Sequence, residues 1–419
     1  MRYIADFHIH SRFSRATSPK LTLENINYWA QIKGVDIVSV ADFTHPVWFK
    51  EIKQKLEEKK PGLYQLKKTY LKQGPSNKNL PYFIFTTEIS CIYSQGGKVR
   101  RIHLLIFCPN IETAEKINKK LEQKGFNLKA DGRPILGISA KELLKLILNI
   151  CPNCFIVPAH CWTPWYALFG SKSGFDSVEE CFEEESKNIF ALETGLSSDI
   201  VMNKLWSKID QYTLISNSDA HSGQNIGREA TVFDLENPSY KEIIKAIKTK
   251  KGLVYTIEFF PEEGRYHFDG HRQCNVCLHP KQSKELNNLC PKCGLPLTIG
   301  VLHRIYDLAD RQEPFISKSE PSFKYAIPLI EIIAQVFGIN KNAKKVQEYY
   351  FDLIKKGENE FNILLDLKEN ELKKISPEIT PFILALRENK VEKNPGYDGV
   401  YGEIKILAKQ KEKIQKKMF

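Results

Sequence analysis

The chain has 419 residues, of which 42% are hydrophobic, 26% charged and 11% aromatic; this excludes a disordered or low-complexity protein and predicts two or three domains at about 100–200 residues each. A formal charge of +11, on 61 Lys and Arg, permits a polyanionic partner without requiring one. No run approaches the ~18 apolar residues of a membrane span, and Met1–His10 enters a strand pattern where a signal peptide would carry an apolar stretch, so no membrane contact and a cytoplasmic location are expected.

From the N-terminus to about residue 260, β-rich runs alternate with amphipathic helical patterns. Strands are predicted over Tyr3–His8, Asp36–Ala41, Tyr82–Ser90, Val99–Cys108, Cys154–Pro158, Ile189–Glu193, Tyr212–Ser218 and Leu253–Ile257, and helices over Thr22–Lys33, Ile111–Lys124, Ser139–Ile150, Asp199–Ile209 and Ser239–Lys250. Such alternation predicts an α/β domain over 1–260 with a parallel sheet, closed as a barrel. Lys53–Pro81 breaks the rhythm and reads as an insertion over one face. Residues 261–299 carry two Cys-x-x-Cys pairs and form a separate small module, and 300–419 are strongly helical, with helices over Val301–Arg311, Tyr325–Phe337, Asn342–Lys356, Glu358–Asn370 and Pro377–Asn389 and a basic tail, Lys409–Lys417.

His8, His10, His45, His103, His160 and His221 all fall in predicted strands or within a few residues of their ends, where a (β/α) barrel gathers its chemistry. His8-Ile-His10 and Asp219-Ala-His221 are the most telling, because strand side chains two apart point the same way and can present two ligands to one centre. Asp42, Glu88, Glu193 and Asp219 recur in the same context, and histidines with carboxylates suit Zn, Mn or Fe, with a bridging carboxylate allowing two metals ~3.5–4 Å apart. One histidine beside a strand is ordinarily structural; six together carry the metal reading, while Glu193 reads equally well as a residue that orients a neighbouring ligand.

In the module, Cys274-x2-Cys277 and Cys290-x2-Cys293 offer four thiolates to one structural zinc, a closed set that leaves no position for catalysis and makes His271 and His279 surplus. Cys91, Cys108, Cys151, Cys154, Cys161 and Cys181 read as packed thiols.

Asp6-Phe-His8-Ile-His10-Ser, Asp42-x-x-His45, Glu88, His103, Pro158-Ala-His160 and Ser218-Asp219-Ala-His221 resemble the polymerase-and-histidinol-phosphatase (PHP) domain, a distorted (β/α)7 barrel that hydrolyses phosphoesters with up to three metals. The resemblance implies one metal on His8, His10, Glu88 and Asp219, a second on Glu88, His103 and His160, and a third on His221 with His45 or Asp42. Zn, Mn or Mg is the expected identity, with Asp6 and Glu193 behind the ligands. Arg15 stands where the family motif has Asp, and His45 lies two places beyond its usual position; Arg12 and Arg15 are candidate phosphate contacts.

With the four-cysteine module and the C-terminal Pro395-Gly-Tyr-Asp-Gly-x-Tyr-Gly402, nearly the whole chain resembles the endonuclease Q family. The resemblance implies a metal-dependent DNA repair endonuclease that cuts 5′ of uracil, hypoxanthine, xanthine and abasic sites, leaving 3′-hydroxyl and 5′-phosphate ends, with DNA as partner and a sliding clamp as a candidate protein partner. Asp219, Glu88 and His45 are the expected catalytic residues, with a metal or protonated His45 stabilising the departing 3′-oxygen. The aromatic stretch after His160 is the expected base pocket, using Trp162, Trp165, Tyr166, Gly170, Ser171 and Lys172. Two other readings stand beside this one: a small-molecule phosphatase of the histidinol-phosphate type, and a non-catalytic DNA-binding protein.

Overall fold

The computed structural model describes residues 1–71 and 80–408; the basic tail and residues 72–79 of the insertion lie outside them. The strands of the N-terminal region are β1 (Arg2–Asp6), β2 (Ile37–Ser39), β3 (Leu56–Lys60), β4 (Leu63–Leu66), β5 (Tyr82–Gln95), β6 (Lys98–Cys108), β7 (Ile135–Leu136), β8 (Phe155–Pro158), β9 (Ala191–Glu193), β10 (Thr213–Ile215), β11 (Ala230–Asp234) and β12 (Leu253–Glu258). β1, β2 and β5 pair in parallel, as the strand and helix alternation requires, and β9 and β10 make a second parallel pair.

The rest of the main sheet departs from the parallel expectation. β11 inserts antiparallel between β1 and β12, and β5 turns back as β6 through Gly96 and Gly97, whose φ of 61° and 72° suit a two-residue hairpin. β6 then pairs antiparallel with β8. Among the described residues, the 53–81 insertion does not lie over a face: β3 and β4 form a hairpin that extends the sheet from β5, with Leu63 opposite Ile84.

The helices Leu23–Lys33, Ile111–Gln123, Ala140–Ile150 and Tyr240–Thr249 each begin at a side-chain cap, Thr22, Asn110, Ser139 and Ser239 accepting an N–H three residues on. Their apolar faces pack on the sheet, and the core between them includes fully buried Trp48, Phe85, Trp162 and Phe169. Residues beyond 300 form a second core around Leu329, Ile333, Tyr350, Leu353 and Ile383, which also takes in Ile32 and Phe260 from the first region. The helix expected from Tyr325 starts at Leu329, because Ser322–Tyr325 is instead a strand pairing in parallel with β12. The helix expected over Glu358–Asn370 is a π-helical turn, Asn362–Asp366, followed by the helix Glu369–Ile375. Among the described residues no helix is long and apolar enough to cross a membrane.

Candidate active site

The mouth of the sheet is built where strands end. The chain leaves β1 at Asp6 and runs through His8 and His10, held by a parallel bridge between Ile9 and Ala220, so His8-Ile-His10 faces Asp219-Ala-His221 directly. On the other side β5 and β6 place Ser90 opposite His103, and Glu88, two residues from Ser90, shares that face. His160 follows β8 in a left-handed turn at φ 31°, and Asp219 takes φ 47°. These unfavourable backbone conformations sit at the residues whose aim matters most.

Two sets of ligand atoms converge, each within 4.8 Å: His8, His10, Glu88 and Asp219, and Glu88, His103 and His160. Glu88 is common to both. Its Oε1 lies 2.6 Å from His103 Nδ1 and 3.0 Å from His160 Nε2, while its Oε2 faces His10 Nε2 at 3.3 Å. His10 Nε2 is 3.0 Å from Asp219 Oδ1.

Outer groups fix the rings. Glu193 accepts from His8 Nδ1 at 3.0 Å, Asp42 lies 3.1 Å from His10 Nδ1, and Thr163 Oγ1 lies 3.1 Å from His160 Nδ1, so a second nitrogen of each ring is turned inward. Asp6 accepts N–H groups from His8, Ser218 and Gly227 and so holds both ligand-bearing turns in place; burial pushes its carboxyl up to about 6 against those bonds.

Without a cation this set is self-compensating but incomplete. Burial pushes Glu88 up, yet His103, Arg133 and His8 outweigh it and hold the carboxyl well below its ordinary range. Burial pushes His8 down, and Glu193, Glu88 and Asp219 reverse that to well above the ordinary value. His103 goes the other way, to about 4, because burial exceeds what Glu88 restores. His8 Nε2 is buried with no hydrogen-bond partner among the described residues, and His103 Nδ1 and His160 Nε2 point at one another across 3.2 Å. Nitrogens and carboxylate oxygens gathered this closely around two points fit two divalent cations.

The structure differs from the sequence reading at the third metal. Asp42 is turned away from both groups: Oδ2 accepts from the Ser11 N–H and from the Ser11 and Ser14 hydroxyls, and Oδ1 steadies His10. His45 caps the helix Pro46–Lys55, stacks on Phe13 at 4.2 Å, and belongs to neither ligand group. His221 stands beside the cluster, its ring 4.5 Å from His10, with Nδ1 2.8 Å from the Asp219 carbonyl oxygen. No third ligand group assembles at the mouth among the described residues.

A cavity of about 530 Å³ opens over the cluster, lined by His103, His160 and Asp219 on its floor and by Arg15, Arg133, Trp165, Tyr166 and residues 195–197 at its sides. Only part of the expected base pocket faces it. Trp165 is 38% exposed, whereas Trp162 is wholly buried against Phe169 and Trp206 and donates to Asn203. Gly170 is packed against the Thr163 and Pro164 carbonyls, and Ser171 and Lys172 lie outside the cavity lining. Arg12 is engaged with Glu51. Sequence reasoning missed Arg133, which the turn-forming Asp131-Gly-Arg-Pro134 could have flagged.

In the small module the structure gathers His271 with Cys274, Cys290 and Cys293 and leaves Cys277 out. The cause is strand alternation. Residues Asp269–His271 pair antiparallel with Val276–Leu278, His271 opposite Val276, and Val276 packs into the small core with Cys290 and Leu297. Cys277 therefore faces the other way, its Sγ 3.8 Å from the Pro395 carbonyl oxygen, while His271 Nδ1 comes within 3.5 Å of Cys293 Sγ.

A barrel mouth carrying two histidine and carboxylate groups that share one glutamate defines a metal-dependent phosphoesterase of the PHP class. Residues 210–251 match the PHP-associated family, and residues 328–390 match the MJ0043 C-terminal domain family. The chain is 32% identical over 260 residues to the MJ0043 protein of Methanocaldococcus jannaschii, a match that takes in 60% of this chain but only about a third, 32%, of that protein's length. Across 97% of both chains it is similar, at 30% identity and a TM-score of 0.83, to endonuclease Q solved with a 27-mer duplex bearing an abasic lesion at the active site. It is similar at 29% identity and a TM-score of 0.84 to the lesion-specific endonuclease of Pyrococcus furiosus, over 97% of this chain and 96% of that one. The chain belongs to the endonuclease Q family of metal-dependent DNA endonucleases.

Proposed function

We propose that the protein cuts duplex DNA on the 5′ side of deaminated bases and abasic sites, with residues 1–260 performing hydrolysis, 261–299 forming a zinc-stapled module and 300–419 contacting DNA. The observation that carries this reading is the pair of ligand groups joined by Glu88 beneath a cavity large enough for a nucleotide. Two divalent cations, once bound, neutralise phosphate charge and bring the pKa of water toward ~7. The chain's own residues do the remaining work. Glu193 and Asp42 set the tautomers of His8 and His10, and Asp219, its side chain 27% exposed, is the most exposed of the six ligands. Hydrolysis joins a water oxygen to phosphorus and breaks the bond to the 3′-oxygen, leaving 3′-hydroxyl and 5′-phosphate ends.

Trp165 and Tyr166 offer the cavity aromatic faces on which an extruded base can stack, and such faces are supplied by Trp165 in place of the buried Trp162. His271, Cys274, Cys290 and Cys293 are the ligands of the structural zinc. One assay separates this reading from a small-molecule phosphatase and from a non-catalytic binder. Duplexes containing uracil, hypoxanthine or an abasic site are compared with p-nitrophenyl phosphate, with and without chelator. Chelator-sensitive scission 5′ of the lesion is expected; intact duplexes alongside rapid monoester hydrolysis, or no hydrolysis of either, would overturn it.

A further inference from the structure

We propose that Arg133 is a phosphate-gripping residue of this site, binding a non-bridging oxygen of the phosphodiester beside the shared carboxylate. The inference rests on the phosphoesterase reading of the mouth but not on which lesion is cut. Arg133 Nη1 donates to Glu88 Oε2 at 3.1 Å, and the side chain lines the cavity above His103, His160 and Asp219. A guanidinium has five N–H groups, and the remaining ones on Arg133 find no acceptor among the described residues. They are not buried orphans either, since the residue borders the cavity. They face the space a phosphate would enter.

The backbone beneath this arginine is held rigidly. Asp131 Oδ1 accepts from the N–H groups of both Arg133, at 3.1 Å, and Arg15, at 3.2 Å. Gly132 donates to the Phe13 carbonyl at 2.9 Å, Thr44 donates to the Gly132 carbonyl, and Ser90 N–H donates to the Pro134 carbonyl at 3.0 Å. A Cβ at Gly132 would lie 2.5 Å from both Asp42 Oδ2 and Ser14 Oγ, so only glycine lets the turn press against the network that steadies His10. Asp42, expected as a ligand, thus supports His10 and, through Gly132, the place of Arg133.

Charge explains why an anion belongs there. Glu88, Asp219, Glu193 and Asp42 touch the ligand imidazoles, and their four negative charges match two divalent cations. The charge of Arg133 is then the surplus, next to cations that repel it, and a phosphodiester monoanion satisfies both. An arginine fork can hold two oxygens where a lysine holds one.

The test uses full-length protein loaded with Mn, variants Arg133→Ala and Arg133→Lys, and inorganic phosphate as the probe, with metal content measured by elemental analysis and phosphate affinity by calorimetry. Expected is an unchanged metal count in both, with affinity reduced at least tenfold in Arg133→Ala and to a smaller extent in Arg133→Lys. Cleavage of a lesion duplex should fall about a hundredfold in Arg133→Ala and recover with added guanidinium ion. Arg133→Lys keeps a cation beside Glu88, so it remains informative if the alanine variant misfolds. Wild-type phosphate affinity in a fully metallated Arg133→Lys or Arg133→Ala would overturn the assignment. If wild-type protein binds phosphate through Arg133 yet leaves every lesion duplex intact, the lesion reading fails and the role of Arg133 stands.

Discussion

The barrel mouth gathers six metal-seeking side chains and the small module four, and they do so by opposite means. At the mouth the imidazoles of His8, His10 and His160 are each braced at the second nitrogen by Glu193, Asp42 or Thr163, and every ligand but the partly exposed Asp219 is buried. In the module Cys293 is exposed, His271 is half-buried, and the core beneath comprises Val276, Cys290 and Leu297. A site that must leave room for a substrate cannot rely on the metal to hold its ligands. A closed site can, and its fold then depends on the metal.

The largest effect expected from this contrast is at the module. Cys290→Ser should lose one zinc equivalent and unfold residues 261–299, a metal contribution on the order of 10 kcal/mol, while Cys277→Ser keeps the zinc. Elemental analysis of the two variants decides it; zinc lost from Cys277→Ser and retained in a His271→Ala variant would restore the four-cysteine set. At the mouth the fold should survive where the chemistry does not. Asp219→Asn is expected to lose about a thousandfold in kcat, several kcal/mol of transition-state stabilisation, with an unchanged Kd for lesion duplex. A rate within tenfold of wild type would remove Asp219 from the ligand set.

A buried carboxyl at the end of β12 gives a pH signature of its own. Glu258, fully buried at the end of β12, accepts from Ser216, and burial raises its carboxyl from 4.5 to about 7 despite that bond. The folded chain keeps a proton that the unfolded chain releases, so stability falls as pH rises from about 4.5 to about 7 and levels off above. At 1.36 kcal/mol per unit the change is about 3 kcal/mol. Denaturant unfolding of wild type and Glu258→Gln should show the variant gaining that much relative stability between pH 4.5 and 8; a pH-independent difference would contradict it. The smallest effect is that of a brace: Glu193→Gln should weaken metal affinity and activity about 10–100-fold, and an unaltered metal titration would mean that His8 needs no support.

The candidate ligands His8 and His10 were legible because residues two apart in an extended run face one way, whereas Asp219, in a left-handed turn at φ 47°, joins them and leaves His221 outside both groups. Strand pairing was less so. Ala230–Asp234 is a short run whose antiparallel place beside β1 depends on long-range contacts, and Leu56–Leu66 is too charged to read as two strands, whereas the Gly96-Gly97 hairpin was present in the sequence as a turn signal. Spacing gave the number of ligands in the module but not their identity, since the pleat that buries Val276 turns Cys277 outward. Trp162 shows the limit of composition: an aromatic beside a ligand is as suited to the core as to a base, and burial decides. Arg133 has no periodic partner, and only the three-dimensional approach of its turn to Glu88 reveals it.

Two cations are expected at the mouth, both held by Glu88. Anomalous diffraction from crystals loaded with Mn tests it directly. Two peaks are predicted, one among His8, His10, Glu88 and Asp219 and one among Glu88, His103 and His160, with none at Asp42 or His45. A peak held by Asp42 and His45, or a single peak not touching Glu88, would rule this arrangement out.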